Sequence, residues 1–293
     1  MRVFVTGATG FIGGVVVPEL LRAGHRVLGL ARSDAGADAL RVQGADVHRG
    51  TLEDLASLRR GAEKADGVIH AGFIHDFSKF AENCEVDRRA IEAIGDMLAG
   101  SGKPLVVTAG IPGVPGRAST EDDPPNRTTP RVSEQMAAAQ AGRGIRATTI
   151  RLPQVHDRDR AGLVSYLIMI ARQAGVSAYV DGGRNRWSAV HRRATASLYR
   201  LALESGAAGA RYHAVEEEGV TLKAIAEAVG RGLGVPVKSL SQDEAVAHFG
   251  PMGHFAGMDN PASSALTRAR LGWAPDAHPG LIDDLDHSTA YAA

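Results

Sequence analysis

The sequence predicts an α/β protein, a doubly wound parallel sheet followed by a smaller C-terminal α/β cap region. Three observations predict it. Strand-like and helix-like segments alternate from Arg2 to Leu152, a glycine turn joins the first strand to the first helix, and the rhythm changes after Leu152. The expected division is residues 1–155 for the sheet domain and 156–293 for the cap, with some later segments returning to the first sheet.

Arg2 to Val5 is a short apolar strand, and Phe11 to Arg22 has helical spacing with Ile12, Val16, Leu20 and Leu21 on one face. Gly24 stops that helix. Val27–Leu30 and Ala45–His48 read as strands, Leu52–Ala65 as a helix, and Gly67–His70 as a fourth strand. Cys84, Ile91, Ile94 and Leu98 mark a long amphipathic helix that ends at Gly100–Gly102. Leu105–Thr108 is a fifth strand, Val132–Ala141 a helix and Ala147–Leu152 a sixth strand. Between them, Gly110 to Thr129 is too rich in Gly, Pro, Ser, Thr and charge for regular structure, and reads as a loop over a surface or a site. Beyond Leu152 the expected elements are helices at Leu163–Ala174, Arg193–Glu204 and Leu222–Leu233, a late strand at Tyr212–Val215, and a tail from Ala245 that is helical in patches.

Apolar residues make up 44% of the chain, enough for a substantial core, and Lys plus Arg equals Asp plus Glu at 33 each. No basic excess calls for nucleic acid or an anionic membrane surface. Cys84 is the single cysteine, which excludes an intramolecular disulfide. The N-terminus runs directly into an apolar strand without signal-peptide features, and no apolar run reaches membrane-spanning length, so a soluble cytoplasmic protein is expected. The histidines are scattered without metal-ligand spacing, and no metal is expected.

The segment Thr6-Gly-Ala-Thr-Gly-Phe-Ile-Gly13, between a strand and a helix, has the context of a Rossmann dinucleotide-binding turn. Gly7 permits the tight turn, Gly10 lets backbone approach a pyrophosphate, and Gly13 allows close helix–strand packing, while the helix N-terminus offers N–H groups to phosphate. The second strand ends Leu30-Ala31-Arg32-Ser33. A cation beside a hydroxyl suits a ribose 2′-phosphate, so NADP(H) is favoured over NAD(H). Asp34 keeps the alternative open, since a strand that ended later would give its carboxylate to the ribose of NAD.

With these motifs, the Val68-Ile-His-Ala-Gly72 strand end, Leu105–Thr108, Ile150–His156 and Trp187–His191, most of the chain resembles the extended and atypical short-chain dehydrogenase/reductase proteins, in particular their NAD-dependent epimerase/dehydratase branch. The resemblance implies dinucleotide contacts from Thr6, Gly7, Thr9, Gly10, Phe11, Ile12, Gly13, Arg32, Ser33, Thr51, Leu52, Ala71, Gly72, Thr108, Leu152, Pro153 and Gln154. It implies a substrate lining from Phe73, Gly110, Tyr179, Trp187 and His191. The chain departs from the family in its acid/base pair. None of Tyr166, Tyr179, Tyr199, Tyr212 and Tyr291 has lysine four places on, and the expected helix reads Thr129-Pro-Arg-Val-Ser-Glu-Gln135. Gly110 stands where a catalytic Ser or Thr is usual, and Val190-His191-Arg-Arg-Ala194 lacks the acid of a common His-x-x-Asp pattern.

His75, in the loop after the fourth strand with Asp76 beside it, and His156, after the sixth, are the candidate replacement proton donors, because imidazole titrates near neutrality. The reading that follows is an NADP(H)-dependent reductase of a small organic carbonyl or related substrate with a non-standard proton donor. A non-catalytic NADP(H) redox sensor and a nucleotide-sugar epimerase or dehydratase are the alternatives. The helices Cys84–Leu98 and Val132–Ala141 occupy the positions at which similar proteins form a four-helix homodimer interface.

Overall fold

The computed structural model describes residues 1–292. In chain order the first half comprises β1 (Arg2–Thr6), α1 (Gly13–Arg22), β2 (Arg26–Ala31), α2 (Asp34–Val42), β3 (Asp46–Arg49), α3 (Leu55–Glu63), β4 (Gly67–His70), α4 (Phe80–Leu98), β5 (Pro104–Gly110), α5 (Ser133–Ala141), β6 (Arg146–Leu152) and β7 (Gln154–His156). The second half comprises α6 (Val164–Ala174), β8 (Ser177–Val180), β9 (Arg186–His191), α7 (Arg192–Ser205), β10 (Arg211–His213), β11 (Glu217–Thr221), α8 (Leu222–Leu233), β12 (Val237–Leu240), α9 (Gln242–Phe249), α10 (Gly253–Ala256), α11 (Ala265–Leu271) and α12 (Leu281–Asp286).

Seven strands form one parallel sheet in the order β10-β6-β5-β4-β1-β2-β3. The order reverses between β1 and β4, which opens a crevice at their carboxyl ends. The alternation of a strand fixes the two layers. Val3 and Val5 of β1, with Ile69, Val106 and Ile150, face α1 and α7 through Val16, Val17, Leu20, Leu198 and Tyr199. Phe4 points the other way, with Val68, Leu105 and Val107, toward α3, α4 and α5 through Leu58, Ile91, Ile94, Leu98 and Ala137. Burial on both faces accounts for the unbroken apolar runs in β1, β4 and β5.

β10 and α7, although late in the chain, belong to this sheet layer: β10 pairs in parallel with β6, and α7 packs on α1. The remaining segments build a second core around Trp187, Leu222, Ile225 and Phe249, with a three-stranded sheet β11-β9-β7 and a two-stranded sheet β12-β8. Several elements had gone unmarked in the sequence. α2 is announced only by the Ser33 cap on Gly36 N–H and by Asp34 in its first turn, while β7, β8, β9, β11 and β12 have three to six residues each. The outward face of α4 is charged, with Arg88 bonded to both Glu85 and Glu92. Among the described residues no helix is long and apolar enough to cross a membrane.

The irregular stretch between β5 and α5 is pinned from below by Arg151 of β6, which has no exposed surface. Its guanidinium donates to both carboxylate oxygens of Glu134 at 2.9 and 2.6 Å and to the carbonyls of Thr120 and Asp123 at 3.3 and 2.7 Å. Nη1 also meets His213 Nε2 at 3.1 Å, while His213 Nδ1 meets the Ser263 carbonyl at 2.8 Å, so a neutral ring protonated at Nδ1 satisfies both contacts. Removing one partner of a buried ion pair leaves the other charge uncompensated, at a cost of about 3–5 kcal/mol. Glu134→Leu is therefore expected to lower stability by about that amount in urea titration. A loss below about 1 kcal/mol would mean that the backbone carbonyls alone hold the Arg151 charge.

Candidate active site

The glycine turn lies at the sheet's switch point. Gly7 has φ +67°, in the left-handed region, and a Cβ there would come within 2.7 Å of the backbone of Ala71 and Gly72 at the end of β4. A Cβ on Gly13 would collide with the Gly7 carbonyl oxygen. β1 and β4 thus approach backbone to backbone, and the Ala71 N–H donates to the Thr6 carbonyl at 3.3 Å. No side chain caps the N-terminus of α1, which leaves that helix end to an anion.

Phe11 lies beside this turn, with the guanidinium of Arg192 4.5 Å and that of Arg160 5.9 Å from its ring centroid. Thr9 approaches Gly36 at the start of α2. Leu52 reaches toward Gly72, and the Thr51 hydroxyl accepts from Asp54 N–H. At the end of β2, Arg32 and Ser33 are exposed and Ser33 caps α2. Asp34 follows immediately, and Arg49 of β3 donates to its carboxylate at 2.5 Å and to the Ser33 carbonyl.

Beneath the turn runs a buried polar chain. Gly72 N–H donates to Thr6 Oγ1 at 3.2 Å, Thr6 Oγ1 contacts His70 Nδ1 at 2.9 Å, and His70 Nε2 contacts Asp87 at 3.1 Å. The other Asp87 oxygen accepts from Ser133 Oγ at 2.5 Å, and Ser133 Oγ accepts from Arg131 Nε at 3.0 Å. Burial alone would raise the Asp87 pKa, but the bond and charge of His70, with Arg131 and Ser133, outweigh it and hold the group below its ordinary value.

Arg131 also donates to the Thr108 carbonyl at 3.1 Å and lies 4.3 Å from the centroid of Phe73. Phe73 in turn meets His75 edge-on at 5.4 Å. Desolvation, and then the Arg131 charge, lower the His75 pKa, so its imidazole is neutral at pH 7. Gly110, at the end of β5, is exposed, and a Cβ there would meet nothing within 4 Å. Arg131 thus reaches both the loop after β4, at Phe73, and the end of β5, at Thr108, two residues before the open position of Gly110, in the cleft along the carboxyl ends of the sheet.

Other residues named from the sequence have partners within the protein. The Thr108 hydroxyl contacts the His70 carbonyl and the hydroxyl of Tyr199 at 2.7 Å. Burial raises the pKa of Tyr199, so that phenol stays protonated beneath the sheet. Leu152 offers its carbonyl to Ile111, Pro153 links β6 to β7, and the Gln154 side chain accepts from Leu163 N–H. Trp187 sits in the cap core with Nε1 bonded to the Met258 carbonyl, and Tyr179 packs in the cap against Gly183. His156 is 1% exposed, with Nδ1 2.8 Å from Asp284 of α12, and His191 stacks on His278. Burial pushes His156 down to about 4 and His191 down to about 4. The same cause, with the Arg151 charge, takes His213 down to about 3. Among the described residues no cluster of three or more His, Cys, Asp or Glu is arranged to hold a metal ion.

Sequence reasoning had passed over Arg131, Arg160, Asp87 and His70. Arg131 stands in the segment that replaces the Tyr-x-x-x-Lys pair, but its aim at the β4–β5 cleft depends on Ser133, two residues on, being held by Asp87 of α4.

Three imidazoles that stay neutral when folded and take up protons when unfolded give a defined pH dependence. Because their folded pKa values are depressed, stability falls as pH drops from 6.5, the ordinary imidazole value, toward 4. Asp284, which burial raises, opposes this in part. The urea midpoint is expected to decline across that window. A flat profile would show that these rings are protonated in the folded protein.

Residues 3–216 match the NAD dependent epimerase/dehydratase family. An uncharacterized protein of Schizosaccharomyces pombe is 47% identical over 290 residues, spanning 97% of this chain and 98% of that one. The fold matches the UDP-glucose 4-epimerase of Thermus thermophilus in complex with NAD, at TM-score 0.74 and 21% identity over 98% of each chain. It also matches DesIV, a dTDP-glucose 4,6-dehydratase of Streptomyces venezuelae with NAD bound, at TM-score 0.76 and 18% identity over 99% of this chain and 96% of that one. The chain belongs to the NAD-dependent epimerase/dehydratase family. Both solved relatives hold NAD, which overturns the expectation of NADP(H) and of an NADP-dependent enzyme drawn from Arg32. β2 ends at Ala31, Ser33 is taken up in capping α2, and the carboxylate of Asp34, in the first turn of α2, is held by Arg49, so a negative charge stands where a 2′-phosphate was expected.

Proposed function

We propose that the protein is an oxidoreductase that moves hydride between NAD(H) and a small organic molecule held in the cleft of Phe73, Arg131 and Gly110. The observation that carries this reading is the open space at Gly110, at the end of β5, two strands along from the glycine turn at the sheet's switch point. The dinucleotide would lie with its pyrophosphate at the α1 N-terminus, flanked by Arg160 and Arg192, and its ribose at Asp34. Arg49, which grips the Asp34 carboxylate, would hold it ready for the paired hydroxyls. NAD(H) supplies or accepts the hydride, and the proton must come from a side chain or from water.

His75 is the proton carrier in this reading. Its ring, edge-on to Phe73 and neutral at pH 7, could accept a proton from a substrate hydroxyl in the oxidative direction and return one in the reductive direction. His156, enclosed against Asp284, takes no part.

A second reading is favoured by the likeness of the whole fold, cap included, to a UDP-glucose 4-epimerase and a dTDP-glucose 4,6-dehydratase. In that reading NAD would end each turnover in the form in which it began. Net consumption of NADH with a carbonyl panel supports the first reading, and conversion of UDP-glucose without net NADH change supports the second. A protein that binds NADH and turns over neither is a sensor.

Asp34→Ala tests the ribose contact. Hydrogen bonds to a charged group contribute about 1.5–3 kcal/mol, so NADH affinity measured by fluorescence titration is expected to fall at least about tenfold. Unchanged affinity would remove Asp34 from the site.

A further inference from the structure

Most buried or half-buried arginines of this protein are matched by a carboxylate. Arg151 meets Glu134, Arg186 meets Asp259, Arg192 meets Asp157 and Arg200 meets Glu19. Arg131, half-buried at the cleft, forms no ion pair among the described residues. Its bonds to protein are Nε to Ser133 Oγ and Nη2 to the Thr108 carbonyl, and the carboxylate of Asp87, whose charge it feels, is bonded to Ser133 and not to the guanidinium.

These bonds fix the plane of the guanidinium at three sides: hydroxyl, carbonyl and the face of Phe73. A guanidinium held this way has lost its conformational freedom before any ligand arrives, and the Nη1 edge still has donors to give. Paired, parallel N–H donors fit a carboxylate better than any neutral oxygen. A side chain added at Gly110 would meet nothing within 4 Å, and among the described residues no carboxylate forms an ion pair with the cation. Arginine does not release its proton in this pH range, so the residue cannot stand in as an acid. Its use is as a fixed positive charge.

We propose that Arg131 is a specificity-determining residue that binds a carboxylate of the substrate, so that the molecule oxidised or reduced is an organic acid with its reacting hydroxyl or carbonyl close to the carboxylate. This rests on the preceding reading of the cleft as the substrate site. The chemistry balances in the usual way for such a couple. In the oxidative direction the hydroxy acid would give up its C–H hydride, which NAD⁺ would accept to become NADH, and its O–H proton, which His75 or water would take, leaving the oxo acid.

Two pairs of a free acid and its methyl ester, which removes the charge and adds one methyl group, test it: pyruvate against methyl pyruvate, and phenylglyoxylate against methyl phenylglyoxylate. Each is titrated calorimetrically into the NADH-saturated protein, and into Arg131→Met and Arg131→Lys. The expected result is at least tenfold tighter binding of acid than ester in the parent for one pair or both. Arg131→Met should lose that preference, and Arg131→Lys should keep a part of it. A merely structural Arg131 would weaken acid and ester alike and leave their ratio unmoved. Equal binding of acid and ester, or binding of neither, with NADH still bound overturns the carboxylate assignment alone. Failure of NADH to bind the parent protein strikes the preceding reading instead, and acid-over-ester binding to the NADH-free protein would then still support Arg131 as an anion site.

Discussion

A carboxylate buried as deeply as that of Asp87 is tolerable only if donors reach both of its oxygens. His70 supplies one and Ser133 the other. Because His70 ends β4, Ser133 begins α5 and Asp87 lies in α4, satisfying this one group fixes three elements relative to one another. The chain then continues outward at each end. Through Thr6 it reaches the N–H of Gly72, at the point where the glycine turn touches β4, and through Ser133 it orients Arg131 above Phe73. The dinucleotide turn and the cleft beside it are thereby parts of one hydrogen-bonded unit, and a change in either would be felt in the other.

The sheet domain was legible because its signals are local. Val3, Phe4 and Val5 declare a strand buried on both faces, and Gly7, Gly10 and Gly13 can be read without knowing what surrounds them. The absence of Tyr-x-x-x-Lys was equally plain. What stands in its place was harder to see, since a lone arginine in Thr129–Gln135 has many uses and only the fold shows this one facing Phe73 and Thr108. Arg32 misled for a related reason. The sequence orders the residues after β2 but does not say that Arg49, from the neighbouring strand, fixes the carboxylate of Asp34 there.

In the cap, strand position was a poor guide. His156 follows the sixth strand and Trp187 was expected at the substrate, yet both are covered by late parts of the chain: Asp284 bonds His156 and the Met258 carbonyl bonds Trp187. No periodicity in a tail of short helices and Pro- and Gly-containing turns announces such contacts. Strands of three or four residues such as β7, β8 and β12 carry too little alternation to be distinguished from loops.

The stitching of the cap by distant segments has a bearing on how the protein is made. Asn260 bonds Ser188, Asp259 bonds Arg186, Thr267 bonds the backbone of His213, and Glu217 bonds that of Leu281. On a ribosome, β1 to β6 can assemble as soon as they emerge, since their partners are near neighbours in the chain. The second core, by contrast, must wait with its tryptophan uncovered until synthesis has passed Leu285. The interval between those two moments is when a nascent chain of this design is most exposed to aggregation, and most in need of a chaperone that shields the apolar face of α6 and α8.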